Sequence, residues 1–407
     1  MIGISKLYCG AVEASDPLRY GRLSKELPSH LLQFSQDKKP VVVWNVTRRC
    51  NLRCVHCYSH SDDRHYSGEL STEEGKVLLD DLSQMGCPVV LFSGGEPLIR
   101  PDILELIRHA AKGGMRAVLS TNGTLITSPL AAELHSIGLS YVGISLDGIG
   151  SHHDAFRGVP GSFSKAMRAI RNCQNVGLKV GLRFTISKRN FQDIPAIFDL
   201  VEQERIPRIC FYHLVYAGRG SQLINEDLGP DETRDVVDLI IDRTKMLHDK
   251  GLATEVLTVD NHADGPYIYL RLLKEDPLRA QQVLELLRMN EGNNSGRGIG
   301  CVSWDGEVYA DQFWRHRSFG NVRNRPFSQI WTDGADELLT KLKDKKKYVK
   351  GRCATCRWLD VCGGNFRVRA EAVYGDLWAQ DPACYLTDEE ISDANHGGNC
   401  SCSSEGM

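Results

Sequence analysis

Between residues 41 and 214 the chain repeats one pattern, a short apolar β-rich run followed by a stretch of helical character. The apolar runs fall at residues 41–46, 89–92, 116–121, 141–146, 179–186 and 208–214. In the first helical stretch, residues 71–85, Ser71 followed three positions later by Glu74 reads as a capping box. Strands that alternate with helices imply a parallel sheet, because each crossover returns the chain to the same end. Six such units predict an α/β fold, an open barrel. Barrels of this kind carry their chemistry at the C-terminal ends of the strands.

The pattern divides the chain into five segments. Residues 1–40 form an N-terminal extension, and 41–218 the barrel core. Residues 219–300 form a bridging segment with helical stretches at 232–248 and 277–289, closing on a run rich in Gly and Asn. A second cysteine-rich module occupies 301–390, and the Gly/Ser/Asn-rich tail, 391–407, is expected to be disordered even though it carries Cys400 and Cys402.

Composition narrows the function classes. Apolar residues at 42% and charged residues at 25% suit a soluble globular protein, and no apolar run reaches the length of a membrane span. A net charge of -3 gives no footprint for nucleic acid. Fourteen cysteines in 407 residues, behind a start that does not read as a signal peptide, fit a reduced, cytoplasmic and low-oxygen setting better than a disulfide scaffold.

Three of those cysteines follow the first apolar run directly, as Cys50, Cys54 and Cys57 in a C-x3-C-x2-C spacing. Three thiolates so close together suit three corners of an iron–sulfur cube. A [4Fe-4S] cluster normally takes four, so one iron stays open to a small ligand. Structural zinc is the alternative, but it prefers C-x2-C pairs and four closed ligands.

With this motif on a loop after the first strand, the sequence resembles the radical S-adenosylmethionine (SAM) enzymes, a resemblance that implies a partial (βα)6 TIM-like barrel. Further residues match at the expected strand ends. Gly94, Gly95 and Glu96 look like the glycine-rich motif that meets the SAM amino group. Ser145 and Asp147 match ribose contacts, Arg183 the contact to the SAM carboxylate, and Tyr58 the aromatic beside adenine. The resemblance implies reductive cleavage of SAM to methionine and a 5'-deoxyadenosyl radical, which the protein has to orient and shield.

Cys353, Cys356, Cys362 and Cys384 resemble the SPASM extension (SPASM/twitch-like), which carries auxiliary clusters in relatives. Fuller versions have further cysteines where this chain has Ala310 and Phe366. The resemblance therefore implies one auxiliary [4Fe-4S] cluster on the four cysteines, with zinc as the alternative. Cys301 is left over, either a small buried hydrophobe or an unassigned ligand.

Around the triplet, and again around Cys362-Gly363-Gly364-Asn365-Phe366-Arg367, the sequence is similar to the tetrapyrrole-editing branch of the family. That branch implies an iron tetrapyrrole substrate, 12,18-didecarboxysiroheme, losing two acetate side chains to give Fe-coproporphyrin III. It also implies an electron donor such as flavodoxin or ferredoxin. Propionate removal towards heme d1, peptide modification by a SPASM enzyme and a non-catalytic iron–sulfur carrier stand as alternatives. A flat, carboxylated macrocycle calls for apolar faces ringed by guanidinium groups. Trp314, Arg315, His316, Arg317, Arg323, Arg325 and Arg219 are the sequence's candidates. His213 and His316 could approach the substrate iron, but a lone histidine is more often structural.

Overall fold

Strands β2 (Val41–Thr47), β3 (Val89–Gly94), β4 (Arg116–Thr121), β5 (Tyr141–Ser145), β6 (Val180–Thr185) and β7 (Arg208–Tyr212) lie side by side in chain order, each parallel to the next. They coincide with the six apolar runs to within two residues. These observations come from a computed structural model, which describes residues 1–10 and 39–392. The tail cysteines and most of the N-terminal extension lie outside the described residues.

The sheet runs further than six strands. In the segment expected to be a helical bridge, β8 (Glu255–Val259) adds a parallel strand beside β7. On the other side β9 (Ile299–Val302), the first strand of the cysteine-rich module, pairs in parallel with β2 and sets Cys301 opposite Val43. A short β10 (Val308–Tyr309) turns back antiparallel on β9. At the far edge β1 (Ile2–Gly3) pairs antiparallel with β8, so part of the N-terminal extension covers an otherwise bare strand. Strand order is β1-β8-β7-β6-β5-β4-β3-β2-β9-β10, an open sheet of partial-barrel type.

Burial on both faces explains why β2 reads as a continuous apolar run. Val42, Trp44 and Val46 are fully buried, and Trp44 packs on Phe92 with ring centroids 5.9 Å apart. The helix Thr72–Met85 starts at the anticipated capping box: the Glu74 amide donates to Ser71 Oγ at 3.1 Å and the Ser71 amide to Glu74 Oε2 at 2.7 Å. Its Gly75 lets the indole of Trp44 lie where a Cβ would stand, 2.6 Å away. Helix and strand therefore pack as closely as their backbones allow.

The C-terminal module is bound to the barrel by more than β9. Arg369 and Asp381 form a fully buried ion pair at 2.9 Å, and Arg369 Nη1 also donates to the Leu214 carbonyl just beyond β7 at 3.1 Å. Removing either partner would leave a buried charge unpaired, a loss on the order of 3–5 kcal/mol. Among the described residues no helix is long and apolar enough to cross a membrane.

Candidate active site

The loop that leaves β2 carries Cys50, Cys54 and Cys57, and each sulfur meets polar groups of the protein. The Leu52 amide lies 3.4 Å from Cys50 Sγ, and Arg157 Nη1 lies 3.5 Å from Cys54 Sγ. Cys57 Sγ has the Ser61 amide at 3.4 Å and Ser59 Oγ at 3.2 Å. Hydrogen bonds to sulfur are a main lever on iron–sulfur potentials, so this donor set fits cluster thiolates. Burial is the largest influence on Cys50 and Cys54 and pushes both thiols up, so a bound metal would have to supply the missing stabilisation of their thiolates.

Other elements clamp the loop. Arg219 donates from Nε to the Cys54 carbonyl at 2.8 Å and from Nη1 to the Ser61 carbonyl at 2.9 Å. The glycine-rich turn after β3 lies against the loop backbone: a Cβ on Gly95 would stand 2.1 Å from the Arg49 carbonyl oxygen. That position needs glycine for the close approach of two backbones.

A cavity of about 1020 Å³, counted out to its mouth, opens over the C-terminal ends of the strands. Cys50, Cys54, Cys57, Tyr58, Gly94, Gly95, Ser145 and Arg183 all line it. Tyr58 is fixed by its hydroxyl, 3.0 Å from both Asn45 Oδ1 and Ser93 Oγ, and its ring meets Phe313 edge-on at 5.3 Å. Arg183 lies over the Tyr212 ring at 4.6 Å, and among the described residues its guanidinium makes no ion pair. It is a cation lining the cavity, with Asp260 close enough to feel its charge but no carboxylate paired to it among the described residues.

Glu96 and Asp147 are placed differently. Both are fully buried and neither lines the cavity. The Glu96 carboxylate accepts from the Thr121 hydroxyl at 2.7 Å, the Asn122 amide at 2.8 Å and the Leu98 amide at 3.1 Å. Asp147 pairs with Arg157 and accepts the Thr185 amide at 2.6 Å. The two carboxylates hold together the loops that carry the lining residues.

The cavity is also lined by groups with no motif in the sequence. His213, directly after β7, and Asp260, directly after β8, both line the cavity with Phe313. Asp260 adopts a left-handed φ of 68°, uncommon for a residue with a side chain, and burial pushes its carboxyl up to about 6. The available signal was the polar run Asp260-Asn261-His262-Ala263-Asp264 at the end of an apolar run, hidden by the expectation of a helical bridge.

The guanidinium ring expected between Cys301 and Cys353 does not form around the cavity. Arg323 pairs with Glu74 at 2.6 Å, and Arg325 with Asp333 at 2.6 Å. His316 lies 2.9 Å from Glu371, while Arg315 stacks over Trp304 at 4.2 Å and donates to the Ser59 carbonyl at 3.1 Å. Trp314 is buried and Arg219 belongs to the cysteine loop. Neighbours in sequence are here turned towards protein partners on several sides of the module.

A second cavity, about 640 Å³ with its opening, is lined by Cys353, Cys356, Cys362 and Cys384. After burial, the nearness of Cys353, Cys384 and Cys356 is what raises the Cys362 thiol, so the four sulfurs share one neighbourhood. Among the described residues no three His, Cys, Asp or Glu side chains converge on a point suited to a single metal ion. Ala310 and Phe366 join one buried apolar cluster, which fills the place of further ligands. Cys301 is fully buried beside Val43 and Tyr309, with Asn45 Nδ2 at 3.5 Å.

Both cavities, the cysteine loop at a strand end and the parallel open sheet define an enzyme that handles SAM on an iron–sulfur cluster. The chain belongs to the radical SAM superfamily: its family model matches residues 44–201, and that of an iron–sulfur cluster-binding domain matches 295–357. A SAM-binding [4Fe-4S] cluster and an auxiliary iron–sulfur cluster are therefore its cofactors.

Over 394 residues the chain is 68% identical to Fe-coproporphyrin III synthase of Methanosarcina barkeri, covering 96% of this chain and 99% of that protein. It is 42% identical to pre-heme d1 synthase of Dinoroseobacter shibae, over 88% of each chain. Among solved structures, Streptococcus suis SuiB bound to its precursor peptide SuiA superposes with a TM-score of 0.68 at 16% identity, covering 86% of this chain and 76% of that one. The last comparison shows the shared fold alone.

Proposed function

We propose that this protein removes the two acetate side chains of 12,18-didecarboxysiroheme to give Fe-coproporphyrin III. The observation that carries this reading is the 68% identity, over nearly the whole of both chains, to an Fe-coproporphyrin III synthase. The relative that makes pre-heme d1 stands at 42%, which keeps propionate removal as the second reading.

In this reading Cys50, Cys54 and Cys57 hold the first cluster, and Cys353, Cys356, Cys362 and Cys384 the auxiliary one. When bound, the first cluster supplies the electron that cleaves SAM, giving a radical able to abstract hydrogen from an unactivated carbon. Arg183, which makes no ion pair among the described residues, binds the carboxylate of SAM. Tyr58 borders adenine, Ser145 the ribose, and the Gly94–Gly95 backbone the amino group. Glu96 holds the Thr121–Asn122 turn, while Asp147 orients Arg157 towards Cys54. Leu214, Val215 and Phe313 offer the apolar wall that a macrocycle needs and exclude water from the reacting carbon. A cytoplasmic flavodoxin or ferredoxin is the expected electron donor, and neither nucleic acid nor membrane has a part in the reaction.

Anaerobic incubation of the reconstituted protein with SAM, dithionite and 12,18-didecarboxysiroheme, followed by mass spectrometry of the pigment, tests the reading. Loss of two acetate units with matching 5'-deoxyadenosine is the expected result. Loss of propionate would move the protein to the heme d1 branch. An unchanged pigment would overturn the tetrapyrrole reading, in favour of a peptide substrate if SAM is cleaved and of an iron–sulfur carrier if it is not.

A further inference from the structure

Among the described residues one histidine both lines the large cavity and has a carboxylate fixed behind its ring. His213 follows β7, where its amide donates to the Val259 carbonyl at 3.0 Å, so its backbone is held between two strand ends. Its Nε2 lies 3.0 Å from Asp264 Oδ2. Asp264 is fully buried at the first position of the helix Asp264–Glu275, and its other oxygen accepts the Tyr385 hydroxyl at 2.8 Å. Burial alone would raise this carboxyl, but the imidazole and the phenol hold it below the usual carboxylate range, so it stands as an anion behind the ring.

The other ring nitrogen is open. No hydrogen bond reaches His213 Nδ1 among the described residues, and unlike Nδ1 of His56 and of His262 it is not sealed from solvent. With Nε2–H donated to Asp264, the tautomer leaves a lone pair on Nδ1 at the cavity wall. Metal-binding histidines share this construction: the far N–H goes to a carboxylate, which fixes the ring and raises its basicity.

We propose that His213 is an axial ligand for the iron of the tetrapyrrole substrate, with Asp264 as its support. The proposal rests on the tetrapyrrole reading above and deepens it, by assigning how the pocket takes hold of the metal as well as the ring. Ligation from the end of β7 would fix the position of the macrocycle in the cavity. It would also make the site prefer the iron form over the metal-free pigment.

Binding of Fe-coproporphyrin III and of metal-free coproporphyrin III to the reconstituted holoenzyme tests this, with resonance Raman excitation in the Soret band to isolate the macrocycle. The expected result is a histidine-ligated iron spectrum and an affinity about tenfold or more above that of the metal-free pigment. His213→Ala should lose both, and added imidazole should restore the ligated spectrum. Asp264→Asn should keep the ligand but lower the iron–histidine stretching frequency, and weaken iron-pigment binding by about 10–100-fold. Circular dichroism establishes that each variant is folded, and His213→Gln replaces any that is not. Tight iron-pigment binding with a spectrum unchanged in His213→Ala would overturn the ligand assignment and leave the tetrapyrrole reading standing. Failure of the wild-type protein to bind either pigment would overturn both.

Discussion

Arg157 reaches Cys54 across more than a hundred positions of sequence, placing Nη1 3.5 Å from Sγ while the rest of its guanidinium pairs with buried Asp147. A cation donating to a cluster sulfur favours the reduced, more negative state of the cluster. Arg157→Gln should therefore lower the potential of the first cluster, and should destabilise the fold by about 3–5 kcal/mol by stranding Asp147. Arg157→Lys should retain part of both effects. Redox titration followed by electron paramagnetic resonance, beside thermal melts, reads the two separately; an unaltered potential in a loaded variant would remove Arg157 from this role.

The two cysteine sets should separate cleanly. Cys54→Ala is expected to abolish 5'-deoxyadenosine formation. Cys356→Ala should lower iron from about eight to about four atoms per chain, keep SAM cleavage and impair pigment turnover. Full turnover at half the iron would show that the auxiliary site is dispensable.

Gly95→Ala tests the backbone contact beneath the cysteine loop. A methyl group 2.1 Å from the Arg49 carbonyl oxygen has no room, and the three nearest atoms are all backbone. The loop must move, so the variant should incorporate the first cluster poorly while the auxiliary cluster still assembles. Iron analysis with Mössbauer spectroscopy distinguishes the two; full loading of the first site would show that the loop yields at little cost.

Asp260 should leave a mark on the pH dependence of stability. Burial raises its folded-state carboxyl to about 6 from an ordinary value of 3.8, against the pull of the Met1 ammonium, Arg369 and Arg183 and with that of Asp311. Between these values the folded protein binds more protons than the unfolded chain, so this group's contribution falls as pH rises through that window. At pH 7 the cost approaches about 3 kcal/mol. Asp260→Asn should melt higher than the wild type at pH 7 and close to it near pH 4. If Asp260 also handles protons or substrate, that gain will come with lost turnover.

Parallel strands were legible because burial on both faces writes them as unbroken apolar runs, as in 41–47, and the cysteine triplet because cluster ligation compresses three ligands into one loop. The strand at 255–259 was not, since Glu255 and Thr258 interrupt a short run between long helices. The strand Ile299–Val302 was hidden by the glycines and asparagines before it. Glu96 and Asp147 matched a motif, yet motif position does not reveal which way a carboxylate turns, and both turn into the protein. His213 and Asp264 stand 51 positions apart, and only the adjacency of β7 and β8 brings them together.

The parallel pairing of β9 with β2 bears on how such enzymes can be recombined. A C-terminal module that contributes a strand to the catalytic sheet is not a cassette to be exchanged at a linker. Cutting the chain before Ile299 would strip one of its two partners from the strand that leads into the cysteine loop and expose an apolar edge to other copies. Chimeras between relatives should therefore tolerate junctions in the helices before Asn290 better than any junction between β9 and Cys353.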